Sequence, residues 1–444
     1  MGKKVLEIIN SLVDEKSFIE LNGCAVSNSV NPNKISRDEK GDGVLTGYAR
    51  INDRLVFVYG QDESVANGSL SKMQAKKISS LYQKAIDVGA PIIGIFDNSG
   101  FRLGEGICGM YSLGEILKMQ GKAHGVIPQI SIAINNCMGI SAILAENSDF
   151  LFIEEKANLF LTPSTDAAGL KASDIAEKGI ADFCGDIGTI TSKVRGLLSF
   201  LPQNCDNNEM YVETNDDLNR QTSGISQMGT KETIITLADN NEYYEVCETF
   251  AHPATAGFIK LNGQTIGALG VTNPDKVCGH AFKKMTRLLS FCNLFHIPVL
   301  MIANARAFHV CEGSGGDAGL LKSIFRFSKT YSEITVPKVT LIKEAYGVAG
   351  MLMGAKSMGA DVVYAFENAK VGIMDEKILV EMQYEMELKS VGDKNSFINE
   401  KIDEVKQRDS LASLAGDGYV DDIIDEANTR QLLVSTFEML YTKM

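Results

Sequence analysis

One order of sequence features occurs twice in this chain, and the duplication constrains the fold more than any other feature. GYARINDRLVFVYGQD (47–62) aligns with GFIKLNGQTIGALGVT (257–272), so that Gly47 meets Gly257 at an offset of 210. Three more pairs follow in the same order: 74–89 with 281–296, 90–100 with 297–307, and 127–139 with 336–347. Two halves with one fold are the simplest explanation.

The periodicity within each half predicts strands that alternate with helices. Residues 74–89 place apolar side chains on one helical face, and residues 281–296 do the same. The intervening strand-like runs are continuously apolar, as in PQISIAI (128–134), which suits a sheet covered on both faces. The alternation favours βαβ units and hence two α/β domains.

The division between the halves is predicted from composition. Residues 201–245 are polar and weakly periodic, which makes them the best linker candidate. We expect an N-terminal domain over 1–225 and a C-terminal domain over 226–444. At the N-terminus, Val5, Ile8, Ile9 and Leu12 recur at helical spacing, which predicts an amphipathic helix rather than a signal sequence.

Each half contains a strand that ends at a glycine and continues into a helix. The first corner is NNCMGISAILAEN (135–147) and the second is EAYGVAGMLMGAKS (344–357). The first amides of a helix lack intrahelical acceptors, and the helix dipole adds positive charge there. Such a corner suits an oxygen that becomes negative during a reaction. Alternatively, the glycines only allow tight packing of helix against sheet.

The chain resembles the carboxyltransferase subunits of biotin-dependent enzymes over nearly its whole length. These include the β subunits of propionyl-CoA carboxylases and the subunits of methylmalonyl-CoA and other acyl-CoA decarboxylases. The resemblance lies in GYARINDRLVFVYGQD with NGSLSKMQAKKI (67–78), GAPIIGIFDNSGFRLGEG (89–106), GVIPQISIAINNCMG (125–139), TVPKVTLIKEAYGVAG (335–350) and GYVDDIIDEANTR (418–430).

The resemblance implies an α/β fold of two tandem crotonase-like domains (ClpP/crotonase superfamily). The first domain would hold the acyl-CoA and the second the biotin. A carboxyl group would move between biotin on a separate carrier protein and the α-carbon of a short acyl-CoA, with propionyl-CoA and methylmalonyl-CoA favoured. Further partners would be a biotin carboxylase or a membrane decarboxylase subunit, and the chain would form a homo-oligomer, usually a hexamer in this family.

The resemblance also assigns site residues. The amides of Gly139 and Ile140 would hold the thioester oxygen, and those of Val348 and Ala349 the ureido oxygen of biotin. Two backbone oxyanion holes would then suffice without a side-chain acid or base. The other expected contacts with coenzyme A and biotin are Gly68, Ser69, Gly100, Phe101, Arg102, Gly347 and Met351.

Four of these positions depart from the family pattern. Ile140 and Val348 each replace the second glycine of a pair, and Phe101 replaces a small residue near the acyl site. Met351 stands where many members carry an aspartate linked to acyl specificity. These departures motivate one alternative, a non-catalytic assembly subunit.

A second alternative is a biotin-independent hydratase or isomerase of acyl-CoA. That chemistry needs a carboxylate near the first corner, and Glu105 and Glu146 are the candidates. A serine hydrolase is disfavoured because Ser141 lacks the final glycine of a nucleophile elbow.

Several charged residues suggest further roles. Lys72, Lys76 and Lys77 follow Gly68 and Ser69 and could meet coenzyme A phosphates, although a solvated helix face explains each lysine singly. For Asp97, Arg102 and Glu105 the simplest interpretation is a structural arginine–carboxylate pair. The five histidines have no ligand spacing, so no metal site is predicted; His309 is noted as a loop residue on the biotin side.

Composition limits the remaining possibilities. The net charge of −13 argues against a nucleic-acid or anionic-membrane binder. No apolar run approaches the length of a membrane span, so direct membrane insertion is not expected. Nine scattered cysteines without a signal peptide predict reduced thiols and a cytoplasmic location.

Overall fold

A computed structural model describes residues 3–25, 42–161, 170–206, 211–311, 313 and 315–443. The chain divides into two compact units. The first comprises Met1–Glu209 with Cys247–Phe250, and the second comprises Met210–Val246 with Ala251–Met444.

The first unit is an α/β unit built on one sheet. Its helices are α1 (Lys3–Leu12), α2 (Lys72–Val88), α3 (Gly106–Ser112), α4 (Gly114–Ala123), α5 (Ile140–Glu146), α6 (Ala172–Glu177) and α7 (Ile187–Leu198). Its strands are β1 (Ile19–Leu21), β2 (Val44–Ile51), β3 (Arg54–Gln61), β4 (Ile92–Asn98), β5 (Gln129–Met138), β6 (Phe150–Glu154), β7 (Asn158–Phe160), β8 (Leu170–Lys171) and β9 (Phe183–Gly185).

The main path of this sheet has the order β1-β2-β3-β4-β5-β6-β9. The pairs β1–β2 and β2–β3 are antiparallel, and the following pairs along the path are parallel. Every residue of β4 is buried, as expected for a central strand covered on both faces. Short strand β7 also pairs with the end of β5, and β8 pairs with β7.

The second unit is also an α/β unit. Its helices are α8 (Thr230–Leu237), α9 (Gly279–Leu294), α10 (Gly316–Glu333), α11 (Gly347–Leu352), α12 (Glu376–Gln383), α13 (Lys394–Arg408), α14 (Leu411–Gly416) and α15 (Thr429–Met439). Its strands are β10 (Tyr243–Glu245), β11 (Ala254–Leu261), β12 (Gln264–Val271), β13 (Val277–Cys278), β14 (Val299–Ala305), β15 (Phe308–His309), β16 (Lys338–Tyr346), β17 (Val362–Gly372) and β18 (Asp422–Ile424).

The large sheet of the second unit has the same plan as that of the first. Its order is β10-β11-β12-β14-β16-β17-β18, with two antiparallel pairs followed by four parallel pairs. The aligned segments therefore occupy equivalent strands: β2 and β3 match β11 and β12, and β4 and β5 match β14 and β16. The predicted duplication and the α/β class are confirmed.

The duplication extends to the support of one hairpin turn in each unit. Asn52 and Asp53 turn β2 into β3 with positive φ, and both amides donate to Asp14. Asn262 and Gly263 turn β11 into β12 with positive φ, and both amides donate to Asp239. Positive φ at both central residues fits a turn whose twist matches the strands.

The N-terminal helix forms as predicted. The side chains of Val5, Ile8, Ile9 and Leu12 are buried, whereas Lys4 is exposed on the same helix. Gly60 on β3 allows α1 to lie close, because a Cβ there would be 2.5 Å from Val5 Cγ2. The predicted amphipathic helix is thus packed on the first sheet.

The linker prediction is partly wrong. Residues 230–237 form α8 and residues 243–245 form β10, although the segment is polar in sequence. Residues 211–225 belong to the second unit, whereas the predicted boundary placed them in the first. Hydrogen bonds explain this, since Arg220 donates to the carbonyls of Thr236 and Ala238. Within the described residues, no helix is both long and apolar enough to cross a membrane.

Candidate active site

The first corner joins β5 to α5 at Gly139. Gly139 has φ +60°, a conformation that favours glycine. A Cβ there would meet no atom closer than the Leu161 carbonyl oxygen, at 4.0 Å. Ile140 is the first residue of α5, so its amide has no acceptor within the helix. The side chain of Ile140 is partly buried and packs against the core of the first unit.

The Gly139 amide does not match its predicted role in this conformation. Its N–H donates to the carbonyl of Phe160 at 2.6 Å, continuing the pairing of β5 with β7. An amide already bound to a carbonyl is a poor donor for a substrate oxygen. Of the two predicted donors at this corner, only the Ile140 amide is therefore not used in the pairing of β5 with β7.

A short parallel bridge between Leu70 and Phe101 brings the predicted acyl-side residues together. The Leu70 amide donates to the Gly100 carbonyl at 2.8 Å, and the Arg102 amide donates to the Leu70 carbonyl at 2.9 Å. Residues on either side of Phe101 make these bonds, so the Phe101 N–H points away from Leu70. Gly100 lies beside the first corner, because a Cβ on it would be 3.6 Å from Met138 Cβ.

Gly68 and Ser69 support the same loop. A Cβ on Gly68 would approach the Asp97 carbonyl to 2.0 Å, so only glycine fits there. Ser69 accepts hydrogen bonds from Arg102, at its Oγ (3.3 Å from Nε) and at its carbonyl (3.1 Å from Nη2). Both predicted residues are thus adjacent to the acyl-side loop, where they shape the backbone.

Arg102 makes the structural ion pair that was expected, with a partner that the sequence did not reveal. Its Nη1 lies 2.7 Å from Asp42 Oδ1, and the two side chains are 3% and 1% exposed. Glu105 lies farther away, at 3.8 Å, and its Oε2 accepts from the Lys72 amide at 2.6 Å at the start of α2. Asp42 adjoins a sequence stretch without periodicity, so its pairing could not be predicted.

The predicted lysine cluster is split by burial. Lys72 and Lys76 are exposed on α2, but Lys77 is buried and donates to the Val44 carbonyl at 2.6 Å. Burial lowers the pKa of Lys77, although Glu20 and Asp42 oppose this shift. Lys77 is therefore unsuited to bind a phosphate, because it points into the sheet, while Lys72 and Lys76 keep that prediction.

The second corner joins β16 to α11 at Gly347 and borders a cavity of about 610 Å³. Gly347 has φ +51°, and a Cβ there would lie 2.7 Å from the Ile373 carbonyl. Val348 and Met351 line the cavity and are 57% and 42% exposed, while Ala349 is buried. The structure thus brings Gly347, Val348 and Met351 to one cavity, beside the first amides of α11.

The lining of this cavity is largely apolar. It includes Ile342 and Val371 from the sheet and Ile373 from the segment after β17. Arg408 and Asp409 lie at its polar side and form an ion pair at 2.8 Å. An apolar cavity with a few polar groups is typical of a small-molecule site.

Comparison with known proteins now identifies the family. The family model named "Carboxyl transferase domain" matches residues 1–172 and 173–444. This chain belongs to the carboxyl transferase family. The predicted carboxyltransferase activity class is therefore confirmed.

Two curated relatives of this carboxyltransferase are similar over most of its length. The propionyl-CoA carboxylase carboxyltransferase subunit of Haloferax mediterranei is 31% identical, over 91% of this chain and 83% of the relative. The methylmalonyl-CoA decarboxylase subunit alpha of Veillonella parvula is 29% identical, over 98% of this chain and 90% of the relative.

A solved structure also matches. The transcarboxylase 12S structure, described as a hexamer with methylmalonyl-coenzyme A and methylmalonic acid bound, superposes with a TM-score of 0.91 at 27% identity. The match covers 99% of this chain and 89% of that chain. The predicted fold of two tandem crotonase-like domains is confirmed.

Sequence reasoning missed a polar contact near the first corner of this carboxyltransferase. The Asn135 side-chain amide donates to Asp97 Oδ2 at 2.7 Å, and Asn135 has φ +48°. Burial raises the pKa of Asp97 from 3.8 to about 6, with opposing contributions from Asn135 and Lys4. The signal was present in the Asn-Asn pair before Cys137, since asparagine tolerates positive φ better than most residues.

The positions of Ser141, Glu146 and His309 do not favour the hydrolase, hydratase or metal-dependent mechanisms considered from the sequence. Ser141 is buried with no hydrogen-bond partner for its Oγ among the described residues, and so has no base beside it. Glu146 is exposed at the last position of α5, away from the helix start. His309 is exposed on β15, and the described residues contain no cluster of three or more metal-ligating side chains.

Proposed function

We propose that this carboxyltransferase moves a carboxyl group between biotin on a separate carrier protein and the α-carbon of a short acyl-CoA. Two curated relatives are named for propionyl-CoA and methylmalonyl-CoA, and these two compounds are therefore the favoured substrates. The single observation that carries the proposal is the repeated strand–glycine–helix corner, with positive φ at Gly139 and at Gly347.

On the acyl side, backbone donors would stabilise the thioester oxygen. The Ile140 amide starts α5, and the Phe101 N–H points away from Leu70 beside the same corner. Preorganised amides aimed at a developing negative charge typically accelerate a reaction by about 10²–10³ each. We therefore revise the donor pair on this side from Gly139 and Ile140 to Phe101 and Ile140.

The two bulky departures near this corner are compatible with the proposal. Ile140 and Phe101 both pack against the core of the first unit and are partly buried. Their side chains therefore bury apolar surface within the unit, while their backbone amides carry the proposed function. Gly68, Ser69, Gly100 and Arg102 would hold the loop that presents Phe101.

On the biotin side, the residues present fit the ring of biotin. The cavity of about 610 Å³ is large enough for such a group, and Val348, Met351 and Ile373 present exposed apolar side chains to it. The amides of Val348 and Ala349, in the first turn of α11, would donate to the ureido oxygen. Bound biotin supplies a nitrogen that carries the transferable carboxyl group.

No side-chain base is assigned to this reaction. Glu105 binds the start of α2 and lies 3.8 Å from Arg102, and Glu146 is exposed at the far end of α5. The hydratase or isomerase alternative requires a carboxylate at the corner, and these positions do not favour it. Main-chain donors that hold oxygen atoms, together with exclusion of water by apolar side chains, would carry the catalysis.

The partners follow from the same proposal. A biotin carrier protein would present biotin to the cavity, and a biotin carboxylase or a membrane decarboxylase subunit would charge or discharge it. The transcarboxylase 12S structure is described as a hexamer, which supports a homo-oligomer, with a hexamer as the expected size.

The test is transfer of labelled carboxyl from methylmalonyl-CoA or malonyl-CoA to a purified biotin carrier. Transfer that depends on both the acyl-CoA and the biotinylated carrier is expected. The matched variants are Val348→Pro, which removes one N–H in the first turn of α11, and Val348→Ala, which retains it. Absence of transfer by the folded wild type, or turnover of an enoyl-CoA without carrier, would contradict the proposal.

A further inference from the structure

A bulge in β5 precedes the first corner and changes the neighbour of this strand. Ile130–Ala133 pair with β6, whereas Asn136–Met138 pair with β7. Opposite β4, Phe96 pairs with Ala133 and Asn98 pairs with Cys137. Three residues of β5 (134–136) therefore lie opposite the single residue Asp97.

The direction of β5 after the bulge sets the position of the corner. The three residues after Asn135 lead into Gly139, whose amide continues the β7 pairing by donating to Phe160 at 2.6 Å. Ile140 follows as the first residue of α5. A shift at Asn135 would therefore displace the proposed donor at Ile140, because few backbone torsions separate them.

Asp97 binds this bulge through its side chain. Its Oδ2 accepts from the Asn135 amide at 2.7 Å, and its side chain is 4% exposed. A bond from an amide to an ionised carboxylate is stronger than one to a neutral acceptor. It adds to the tolerance of asparagine for positive φ in holding Asn135 at φ +48°.

The backbone of Asp97 is itself fixed by β3. The Asp97 amide donates to Gln61 Oε1 at 3.3 Å, and the Asn98 side chain donates to the same oxygen at 2.6 Å. Asp97 is therefore anchored on the buried part of the sheet. The bulge is the part that depends on the Asp97 carboxylate.

We propose that Asp97 is a positioning residue that holds the bulge at Asn135, and through it the Ile140 corner, so that protonating its carboxylate slows carboxyl transfer. The inference rests on the proposed function for its catalytic readout. It assigns the role to a pair of side chains that the reaction itself does not use.

Among the described residues, four titratable groups lie near Asp97, and the backbone of Asn136 also hydrogen-bonds its carboxylate. Lys4 on α1 has its Nζ 4.0 Å away and is 58% exposed. Glu63, in the segment after β3, opposes ionisation of Asp97, and Asp62 and Lys4 line the same cavity of about 400 Å³. Cys137 on β5 is close enough for the Asp97 charge to act on it. Burial is the main cause that raises the pKa of Asp97 to about 6, within reach of ordinary assay buffers.

The kinetic test is the pH profile of kcat at saturating acyl-CoA and carrier between pH 5 and 8.5. The wild type should lose activity below about pH 6, near the raised pKa of Asp97. Asp97→Asn imitates the protonated acid, so its profile should be flat, with kcat about tenfold lower at pH 7.5 and KM for acyl-CoA nearly unchanged. The control Glu63→Gln should retain the acidic limb, shifted slightly downward.

A double-mutant cycle tests whether Asp97 acts through Asn135. Asn135→Gly allows the positive φ but removes the amide, so it should also lower kcat and abolish the acidic limb. The double variant Asp97→Asn/Asn135→Gly should be no slower than the slower of the two single variants, because the Asn135–Asp97 bond can be lost only once. Losses that multiply in the double variant, or a wild-type pH profile in Asp97→Asn, would overturn the inference.

Hydrogen exchange separates this inference from the proposed function. At pH 7, amides of residues 134–146 should exchange faster in Asp97→Asn and in Asn135→Gly than in the wild type, while those of α9 should not change. This outcome would support the positioning role even if the wild type transferred no carboxyl group. Unchanged exchange in both variants would overturn the positioning role even if the wild type were active.

Discussion

Arg430 donates from Nη2 to Oδ1 of Asp239, and the two side chains are 0% and 4% exposed. Asp239 in turn accepts from the amides of Asn262 and Gly263 in the β11–β12 turn. The first unit repeats the arrangement with Arg195 and Asp14, whose side chains are 30% and 27% exposed. Each unit therefore has an arginine–aspartate pair whose carboxylate also binds a hairpin turn, and the pair is buried in the second unit and partly exposed in the first.

This pair of sites gives a matched stability prediction. Arg430→Met should lower the free energy of unfolding by about 3–5 kcal/mol, because it leaves a buried carboxylate without its cation. Arg195→Met should cost about 1 kcal/mol or less, because water screens the more exposed pair. Urea unfolding followed by circular dichroism measures both, and equal losses would contradict the role assigned to burial.

The proposed donor at the acyl corner can be removed without changing the helix. Ile140→Pro deletes the N–H at the first position of α5, where proline is well tolerated. We expect kcat for carboxyl transfer to fall by about 10²–10³, as for loss of one oxyanion donor.

Ile140→Ala is the control for that variant. It retains the amide and removes the side chain, so its kcat should stay close to that of the wild type. A proline variant that is folded and fully active would show that the Ile140 amide is not a donor.

Gly347 provides a test of the biotin side. Gly347→Ala forces an alanine to φ +51° and places its Cβ 2.7 Å from the Ile373 carbonyl. We expect a loss of stability of about 1–3 kcal/mol and a shift of the start of α11. Carboxyl transfer to the carrier should fall with it, while acyl-CoA binding, measured by calorimetry, should be unchanged.

Gly121→Ala is the matched control for the glycine substitution. Gly121 lies inside α4 with no atom within 4 Å of a built Cβ, so alanine should be neutral or stabilise by up to about 1 kcal/mol. If both variants behaved alike, the conformation of Gly347 would have no special role.

Asp97 predicts how stability depends on pH. Burial raises its pKa from 3.8 to about 6, so between these values the folded chain holds a proton that the unfolded chain releases. This contribution is fully present below pH 3.8 and is lost as the pH rises through 6. Asp97→Asn does not titrate at this position. The free energy of unfolding of the wild type, minus that of Asp97→Asn, should therefore decrease from pH 4.5 to 6.5 and then level off. Urea titrations across that range measure it, and a constant difference would contradict burial of the carboxylate.

Local sequence features were enough to predict the regular elements of both units. Apolar runs gave the central strands, and helical spacing in 74–89 and 281–296 gave α2 and α9. The offset of 210 predicted equivalent hairpins, because a repeated pattern of apolar side chains and turns repeats the same local structure. The two glycines at the strand–helix corners were also recognisable, since a positive φ strongly favours glycine.

Long-range pairing decided the rest. The sequence marked Lys77 as one of three basic residues on a helix, but packing of α2 on the sheet buried it. Residues 230–245 were too polar to indicate α8 and β10, which owe their stability to partners elsewhere in the second unit.

The two α/β halves and the two glycine corners can be predicted from local patterns, because these depend on neighbours within a few residues. Three contacts depend instead on the folded chain: Gly139 donates to Phe160, Arg102 pairs with Asp42, and Asp97 binds the bulge at Asn135. The residues of these three contacts are 21, 60 and 38 positions apart in the sequence, respectively. The physical reason is that a buried polar group must find a partner, and the fold determines which partner is within reach.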